Sequence, residues 1–510
     1  MKSNSRTFNV VKNIKFGVIS QVLTLFLSFA SRTIFIRVLG KEYLGINGLF
    51  TNILTILSFA ELGIGNAIIY SMYKPLSENN HNKIKALMDL YAKAYKIIAL
   101  IITILGLLII PFLDIIIKDI PNIKENINII YMIFLLNTVT SYLFSYKKSI
   151  IIADQQNYKV IMYQQVFYIG QVLVQMITLF ILENYLVFMI IQVLSNLLNN
   201  IVVSRKCDKM YPYLKSKEKY LIDKEEKNEI FRNVKSLFLY KFGSVILNGT
   251  DNIIISAYIG VGLVGISSNY LMIITAISGI LGQAMTAFTA SIGNLNAIES
   301  SDKKENIFNQ LFFLSGWIYG VCSVCLIVCL NSFVYMWVGD NYMLSLDVVI
   351  SLVLNFYVNG IQFAAFTYRN TMGLFTKGKY LPIIAAIINI VLSIVLAKYI
   401  GLVGVFIATI ISRIVTMGWF DPLMVYKIGF NNKPWKYYWK YILHAFIVGI
   451  SVIVSNTIIN YIMVEGFMLL LLKAIISFTV ANIIFIIIFY NTNEFKALKL
   501  RGLTFLKVIK

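Results

Sequence analysis

Long apolar runs separated by short polar connections extend along almost the entire chain. Each run is close to the roughly 20 residues that an α-helix needs to cross a bilayer. The pattern therefore predicts an all-α polytopic membrane protein with about fourteen transmembrane helices. The predicted spans are residues 15–38, 43–70, 86–112, 126–146, 159–182, 185–204, 234–257, 264–294, 307–338, 343–368, 380–398, 402–426, 440–460 and 467–490.

The composition agrees with this pattern, because 58% of the 510 residues are hydrophobic and only 14% are charged. A soluble protein could not solvate such a surface. The net charge of +21 would suit a nucleic-acid partner, but the bases cluster in alternate connections. Because Lys and Arg collect in cytoplasmic loops, this distribution predicts both termini in the cytoplasm. We therefore expect contact with anionic membrane lipids and no nucleic-acid partner. The base-poor connections, predicted on the outer side, are 39–42, 113–125, 183–184, 258–263, 339–347, 398–401 and 461–466.

Short segments recur at an offset of 220 to 222 residues. The stretch YKKSIIIADQQNY begins at Tyr146, and YRNTMGLFTKGKY begins at Tyr368. In the same order, Gly40 and Gly45 superpose on Gly260 and Gly265. The recurrence predicts two pseudo-symmetric six-helix lobes around a central cavity, followed by a two-helix tail, an arrangement typical of transporters. The predicted boundaries are 1–208 for the N-terminal lobe, 209–229 for a charged cytoplasmic linker, 230–428 for the C-terminal lobe, and 429–510 for the additional helices and a cytoplasmic tail.

Two stretches resemble a known family. RTIFIRVLGKEYLGINGLFTNILTILSFAELGIGNAIIYSMYKPL, from Arg32 to Leu76, is similar to the N-terminal block of bacterial polysaccharide flippases of the Wzx type. These flippases belong to the multidrug/oligosaccharidyl-lipid/polysaccharide (MOP) exporter superfamily. YRNTMGLFTKGKYLP, from Tyr368 to Pro382, resembles that family's connection between the tenth and eleventh helices. The likeness covers most of residues 10–430, and the last two spans match only in hydrophobicity.

The resemblance implies a flippase that moves an undecaprenyl-diphosphate-linked oligosaccharide from the inner to the outer leaflet of the bacterial cytoplasmic membrane. It implies no catalytic residues, no cofactor and no metal. The expected partners are the lipid-linked oligosaccharide and membrane lipids, with a polysaccharide polymerase and other assembly proteins as further candidates.

Arg32 lies roughly 12 Å inside the outer end of the first span. A charge at the bilayer centre costs about 2.5–3.5 kcal/mol, so Arg32 must pair or face a wet cavity. Two interpretations remain open: a buried ion pair without a transport role, or a cationic cavity for a diphosphate group, which arginine binds well. In the second interpretation Lys241 and Gln21, matched by the repeat, line the same cavity. Asp251, at matching depth in the second lobe, would pair with Arg32 as an outer gate.

A second group of charges is predicted nearer the cytoplasm. Glu61 in the second span could face Lys93 or Lys96 on the third, and Arg369 ends the tenth span. A structural pair within one lobe would account for Glu61, and the topology alone would account for Arg369.

Other functions share parts of this pattern. A lipid II flippase would share the span count and the cationic cavity. A cation-coupled multidrug exporter would share the fold but should carry carboxylates where this chain carries arginines. A membrane polymerase or glycosyltransferase would need a larger outer loop than 113–125. The chain has no phosphate-binding G-x-x-x-x-G-K-[ST] motif, so we expect H⁺, Na⁺, the membrane potential or substrate supply to drive transport.

Overall fold

The computed structural model of the protein describes residues 2–61, 64–118, 121–216, 249–374 and 378–509, with some of the residues between 218 and 247. Within these ranges every regular element is a helix. The α-helices are α1 Lys2–Leu57, α2 Ile64–Glu78, α3 His81–Ile109, α4 Leu113–Ile116, α5 Ile127–Ala153, α6 Asn157–Leu182, α7 Tyr185–Met210, α8 Asp251–Tyr258, α9 Val261–Ile298, α10 Ser301–Val338, α11 Leu346–Ile361, α12 Phe363–Thr371, α13 Leu381–Arg413, α14 Trp419–Met424, α15 Trp435–Asn460, α16 Gly466–Phe489 and α17 Asn493–Ile509.

Two of the longest helices are interrupted by glycines. Gly40 in α1 has a φ of 86°, and Gly401 in α13 has a φ of 62°, values that favour glycine. A methyl group on Gly404 would overlap the carbonyl oxygen of Leu396. On one continuous helix those two residues would be about 12 Å apart. The chain therefore folds back on itself at Gly401, where the sequence predicts a connection between the eleventh and twelfth spans.

The described residues contain 10 helices long and apolar enough to cross a membrane, or 11 if the bent pair within α5 is counted as one span. The glycine breaks divide two of these helices into two predicted spans each. Each predicted span except the seventh then has a helical counterpart in the described ranges. The seventh, 234–257, lies in part outside the described residues. The all-α polytopic fold with about fourteen spans is confirmed.

The chain forms two compact units, Met1–Gly265 and Ile266–Lys510. In the first unit, α6 packs against α1 and α7, and α5 packs against α3 and α7. In the second unit, α10 packs against α11, α15, α16 and α17, and it is the most buried of the candidate spans described. The two tail spans thus share a core with α10. The predicted lobe boundaries at 208 and 230 come from the repeat and stay a prediction.

Within the first unit, the base-poor connections meet at one end. Tyr43, just after the first connection, donates a hydrogen bond to Glu125, and its ring lies 4.9 Å from that of Tyr185. Lys118 Nζ donates to the carbonyl of Tyr258 at 3.1 Å. The connections predicted on one side of the membrane therefore lie together, as alternating spans require.

Candidate functional site

The structure describes three of the four residues predicted to form the cavity and its gate. Gln21 and Arg32 lie in the first part of α1, where Gln21 is exposed and Arg32 is half-buried. Asp251 is the first residue of α8, a helix that packs against α1. Lys241 lies outside the described residues. The cavity roles of these residues, and the pairing of Arg32 with Asp251, stay predictions.

A stripe of hydroxyl groups runs along α1 towards Arg32. Ser20 donates to Gln165 Oε1 at 2.6 Å, and Thr24 donates to the same oxygen at 3.3 Å. One turn further, Ser28 and Tyr168 are hydrogen-bonded at 2.9 Å. The four-residue spacing places all three hydroxyls on one face of α1, against α6. Sequence analysis missed this stripe, although the spacing of Ser20, Thr24 and Ser28 could have revealed it.

Glu61 lies among hydroxyl groups. It accepts a hydrogen bond from Tyr95, and the Tyr142 hydroxyl lies beside it. Tyr95 in turn contacts Tyr91 at 3.4 Å between hydroxyl oxygens, and Ser149 donates to Tyr91 at 3.2 Å. These residues, on α3, α5 and the 3₁₀ turn after α1, form what we call the tyrosine cluster.

The structure does not contain the ion pair that the sequence suggests between Glu61 and Lys93 or Lys96, as far as the described residues show. Within the described part of the chain, no ion pair joins Glu61 to Lys93 or Lys96, both of which are exposed on α3. The physical reason is the position of Tyr95 on the helix between them: its buried hydroxyl reaches the carboxylate, while the two lysines point elsewhere. The remaining member of the predicted inner cluster, Arg369, belongs to the second unit.

Arg369 is fully buried, and its guanidinium donates to Asp421 Oδ1 at 2.6 Å. Asp421 is itself almost fully buried in α14. Arg369 also lies over the ring of Phe366, at 5.6 Å from the ring centroid. The topology alone, which places a base at the cytoplasmic end of the tenth span, does not explain why Arg369 is buried. The carboxylate partner on the twelfth span was not identified from the sequence, because the two residues are 52 positions apart.

An equivalent pair occurs in the first unit. Lys147 Nζ donates to Asp208 at 2.7 Å, and both side chains are about four-fifths buried. Lys147 and Arg369 each follow the first tyrosine of the repeated stretch. In each unit, a base at the end of the fourth or tenth span therefore binds an acid at the end of the sixth or twelfth. This arrangement is the one that a repeat would produce.

Two glycines bring α1 and α9 into backbone contact at the end of the first unit where the base-poor connections meet. A methyl group on Gly45 would overlap the carbonyl oxygen of Val261, and one on Gly265 would overlap that of Lys41. The contact is reciprocal, since each glycine lies against the residue four positions before the other glycine. The repeat superposes the same two glycines on each other. The approach is possible only because neither residue has a side chain.

The described residues contain no group of three His, Cys, Asp or Glu side chains placed to hold a metal ion. The three cysteines of α10, Cys322, Cys325 and Cys329, line a cavity of about 410 Å³ with apolar side chains of α9 and α16.

The family model described as "Polysaccharide biosynthesis protein" matches residues 10–290, more than half of the chain. The chain belongs to the polysaccharide biosynthesis protein family. The matched region contains most of α1, the tyrosine cluster and the reciprocal glycine contact. The resemblance to Wzx-type flippases is confirmed by this membership together with the fold.

Solved structures share the fold of this family member at low sequence identity. The lipid II flippase MurJ in an inward closed conformation is 15% identical, with a TM-score of 0.64, and the match covers 94% of this chain and 99% of the flippase. An inward-facing multidrug resistance MATE transporter of the MOP superfamily is 16% identical, with a TM-score of 0.58, and the match covers 78% of this chain and 93% of the transporter. No curated protein matches the sequence.

The solved structures that share this fold are a flippase and a transporter rather than enzymes, in agreement with the expectation from the sequence. A match over 94% of the chain cannot omit both α15 and α16, because these two helices make up more than 6% of the residues. At least part of the two-span tail therefore belongs to a fold shared with a flippase.

Proposed function

We propose that the protein is a flippase that translocates an undecaprenyl-diphosphate-linked oligosaccharide across the bacterial cytoplasmic membrane for the assembly of a surface polysaccharide. The observation that carries this proposal is the family match over residues 10–290. Both termini lie in the cytoplasm in this proposal, in agreement with the basic connections. A polysaccharide polymerase on the outer side would receive the product.

Translocation would proceed by alternating access, with Arg32, Lys241 and Gln21 lining the cavity that takes the diphosphate. Arginine supports this role, because its planar guanidinium binds two phosphate oxygens at once. The hydroxyl stripe packs against α6 and keeps that face of the first span away from lipid. A polar helix face lines water or protein more favourably than lipid.

Outer closure would combine two contacts in the first unit. The reciprocal glycine contact holds α1 against α9. The Arg32–Asp251 pair would add an electrostatic lock that a bound diphosphate can release, because the phosphate competes for Arg32. Contacts of this kind must form in one state and break in the other for access to alternate between the two sides of the membrane.

Glu61 is the residue that we propose for ion coupling, with H⁺ or Na⁺ as the ion. Its partner is the neutral Tyr95 hydroxyl, and no ion pair with a described residue satisfies it. A carboxylate without an ion-pair partner in an apolar helix bundle keeps a net charge that a bound cation would balance. Release of that ion would change the packing of α3 against α5.

Reconstitution tests the proposal. Purified protein in sealed vesicles should move a fluorescent undecaprenyl-diphosphate-linked oligosaccharide to the opposite leaflet, as measured by access of a membrane-impermeant lectin. Transport should proceed without ATP and should respond to an imposed H⁺, Na⁺ or electrical gradient. Transport no faster than in protein-free vesicles, with every gradient, would contradict the proposal.

Lipid II is the second candidate substrate. The observation that favours it is the match over 94% of the chain to a lipid II flippase, which includes at least part of the tail. Parallel assays with lipid II and with a drug-like cation would separate the alternatives. We expect the oligosaccharide lipid to be moved, and movement of the cation alone would assign the protein to drug export.

A further inference from the structure

Four charged side chains lie on one face of α3, a helix that is apolar towards its C-terminal end. Lys85, Asp89, Lys93 and Lys96 are spaced four, four and three residues apart, so they lie on one side of the helix. They extend over about 16 Å of the helix axis. The same helix belongs to a candidate membrane span, His81–Ile116. We call these four residues the charged face of α3.

A cavity of about 480 Å³ opens against the charged face. Its size falls within the range of about 300–1,000 Å³ that small-molecule sites occupy. All of its walls belong to the first unit. The wall opposite α3 comes from the predicted cytoplasmic linker and is formed by Glu218, Tyr220, Ile222 and Lys227.

The cavity has an excess of positive charge. Lys85 is buried and paired with Asp89 at 3.0 Å, so this pair contributes no net charge. Glu218 accepts a hydrogen bond from Tyr220. Lys93, Lys96 and Lys227 form no ion pair with any residue that the structure describes. Apart from the Lys85–Asp89 pair, the cavity is therefore lined by three ammonium groups and by one carboxylate, that of Glu218. The carboxylate is bound by the neutral hydroxyl of Tyr220.

An exposed lysine pair at the level of Lys93 and Lys96 cannot face lipid cheaply, since each charge costs about 2.5–3.5 kcal/mol at the centre of a membrane helix. Lys93 lies about 10 Å inside the predicted start of the third span at residue 86, and a lysine side chain can relieve only part of that depth by extending towards the interface. The charged face therefore requires water or an anionic ligand beside it.

We propose that this cavity is a phosphate-binding vestibule that takes a diphosphate group from the cytoplasmic side before the group reaches the cavity around Arg32. Lysine ammonium groups bind phosphate oxygens through charge-assisted hydrogen bonds. The diphosphate could be carried by a lipid or be soluble, and the chemistry of recognition is the same for both. As a loading site for a lipid-linked substrate, the vestibule rests on the proposed flippase function.

Amine-specific labelling of the native chain tests the vestibule. Purified protein in lipid nanodiscs is treated with a water-soluble lysine-acylating reagent, alone or with inorganic diphosphate, undecaprenyl diphosphate or undecaprenol. Mass spectrometry then measures acylation at each lysine. Both diphosphate probes should protect Lys93, Lys96 and Lys227, and undecaprenol should not. Lys74 is the matched control, because it is exposed on α2 and its neighbour Glu78 is an acid on the surface.

The outcomes separate the source of the ligand. Protection by undecaprenyl diphosphate alone assigns a lipid-borne ligand, and protection by inorganic diphosphate alone assigns a soluble one; either supports the vestibule. Equal acylation with and without both probes would overturn it. A K93Q/K96Q variant should lose affinity for the protecting probe by about tenfold or more, and K74Q should not.

Failure of the vestibule is distinguishable from failure of the proposed function. If K93Q/K96Q transports the lipid-linked oligosaccharide as fast as the wild type, the vestibule is wrong and the flippase function stands. If the probes protect these lysines but the wild type moves no lipid, the vestibule stands as a phosphate site and the flippase function is wrong.

Discussion

Arg369 and Asp421 form an ion pair of 2.6 Å in which the guanidinium has no exposed surface and the carboxylate side chain is 6% exposed. The pair joins α12 to α14 in the second unit. Burial of two charges is tolerated only when they satisfy each other, so neither residue can be removed alone without leaving an isolated charge in the core.

We expect Arg369→Ala to lower the free energy of unfolding by about 3–5 kcal/mol, because Asp421 would stay buried without its cation. Lys147→Ala is the matched control from the first unit, where the pair is partly exposed, and its loss should be smaller. Thermal unfolding of the purified protein measures both. A double variant, Arg369→Met with Asp421→Leu, should recover much of the stability. If Arg369→Ala and the wild type have the same melting temperature, the Arg369–Asp421 pair does not stabilise the folded protein.

The glycine contact between α1 and α9 predicts a position-specific effect of added methyl groups. Gly265→Ala should lower stability by about 1–3 kcal/mol, since its methyl overlaps the Lys41 carbonyl. Gly45→Ala should behave in the same way against Val261. Gly262→Ala is the control on the same helix, because the nearest atom to its methyl is Lys41 Cε at 3.9 Å. If Gly45→Ala, Gly265→Ala and Gly262→Ala all have the same melting temperature, the reciprocal contact has no role in stability.

The repeat and the hydropathy of the chain could be read from the sequence because both are local patterns. Each span is a continuous apolar run, and glycines such as Gly40 and Gly401 mark places where a helix must stop. The partners of charged residues could not be read in this way. Whether Glu61 meets Lys93 or Tyr95 depends on a rotation of α3 that the run of apolar residues does not fix.

The same limit applies to Arg369. The charge pattern assigns it to a helix end, where topology explains it, whereas the structure buries it against a residue from another span. A buried pair of opposite charges has no sequence signature when its members lie on separate helices. The equivalent bases, Lys147 and Arg369, were visible in the repeat, but Asp208 and Asp421 do not share the same offset.

Glu61→Gln tests ion coupling. The amide keeps the size and can still accept a hydrogen bond from Tyr95, but it can neither bind a proton at neutral pH nor balance a cation. We expect transport by this variant to lose its response to an imposed ion gradient while its melting temperature changes little. Glu78→Gln, on the surface of α2, is the control and should keep the full response. A gradient response in Glu61→Gln equal to that of wild type would exclude Glu61 as the coupling residue.

Arg32 and Arg37 provide a matched comparison on α1. Arg32 is half-buried and Arg37 is exposed one to two turns later, where extension towards the interface accounts for its charge. Arg32→Ala should reduce the rate of glycan-lipid transport by about tenfold or more, through loss of charge-assisted contacts to phosphate. Arg32→Lys should recover part of the rate, since it keeps the charge and loses the planar fork. Equal rates for Arg32→Ala and Arg37→Ala would remove Arg32 from the site.

The outer gate is the last prediction, and it concerns Arg32 and Asp251. The competing partner for Asp251 on its own span is Lys241, ten residues earlier, which on a straight helix lies roughly 15 Å away. That distance is too long for an ion pair and favours Arg32. Exchange of the two charges, Arg32→Asp with Asp251→Arg, should therefore keep the outer side closed, measured as slow labelling of a cysteine introduced in the outer part of the cavity. Asp251→Ala should label faster, because the closed state loses an attraction that the open state never has. Transport by the exchanged variant should stay low, because the arginine is no longer at position 32. Identical labelling of wild type, Asp251→Ala and the exchanged variant would show that closure does not depend on this pair, and outer closure would then rest on the contact between Gly45 and Gly265.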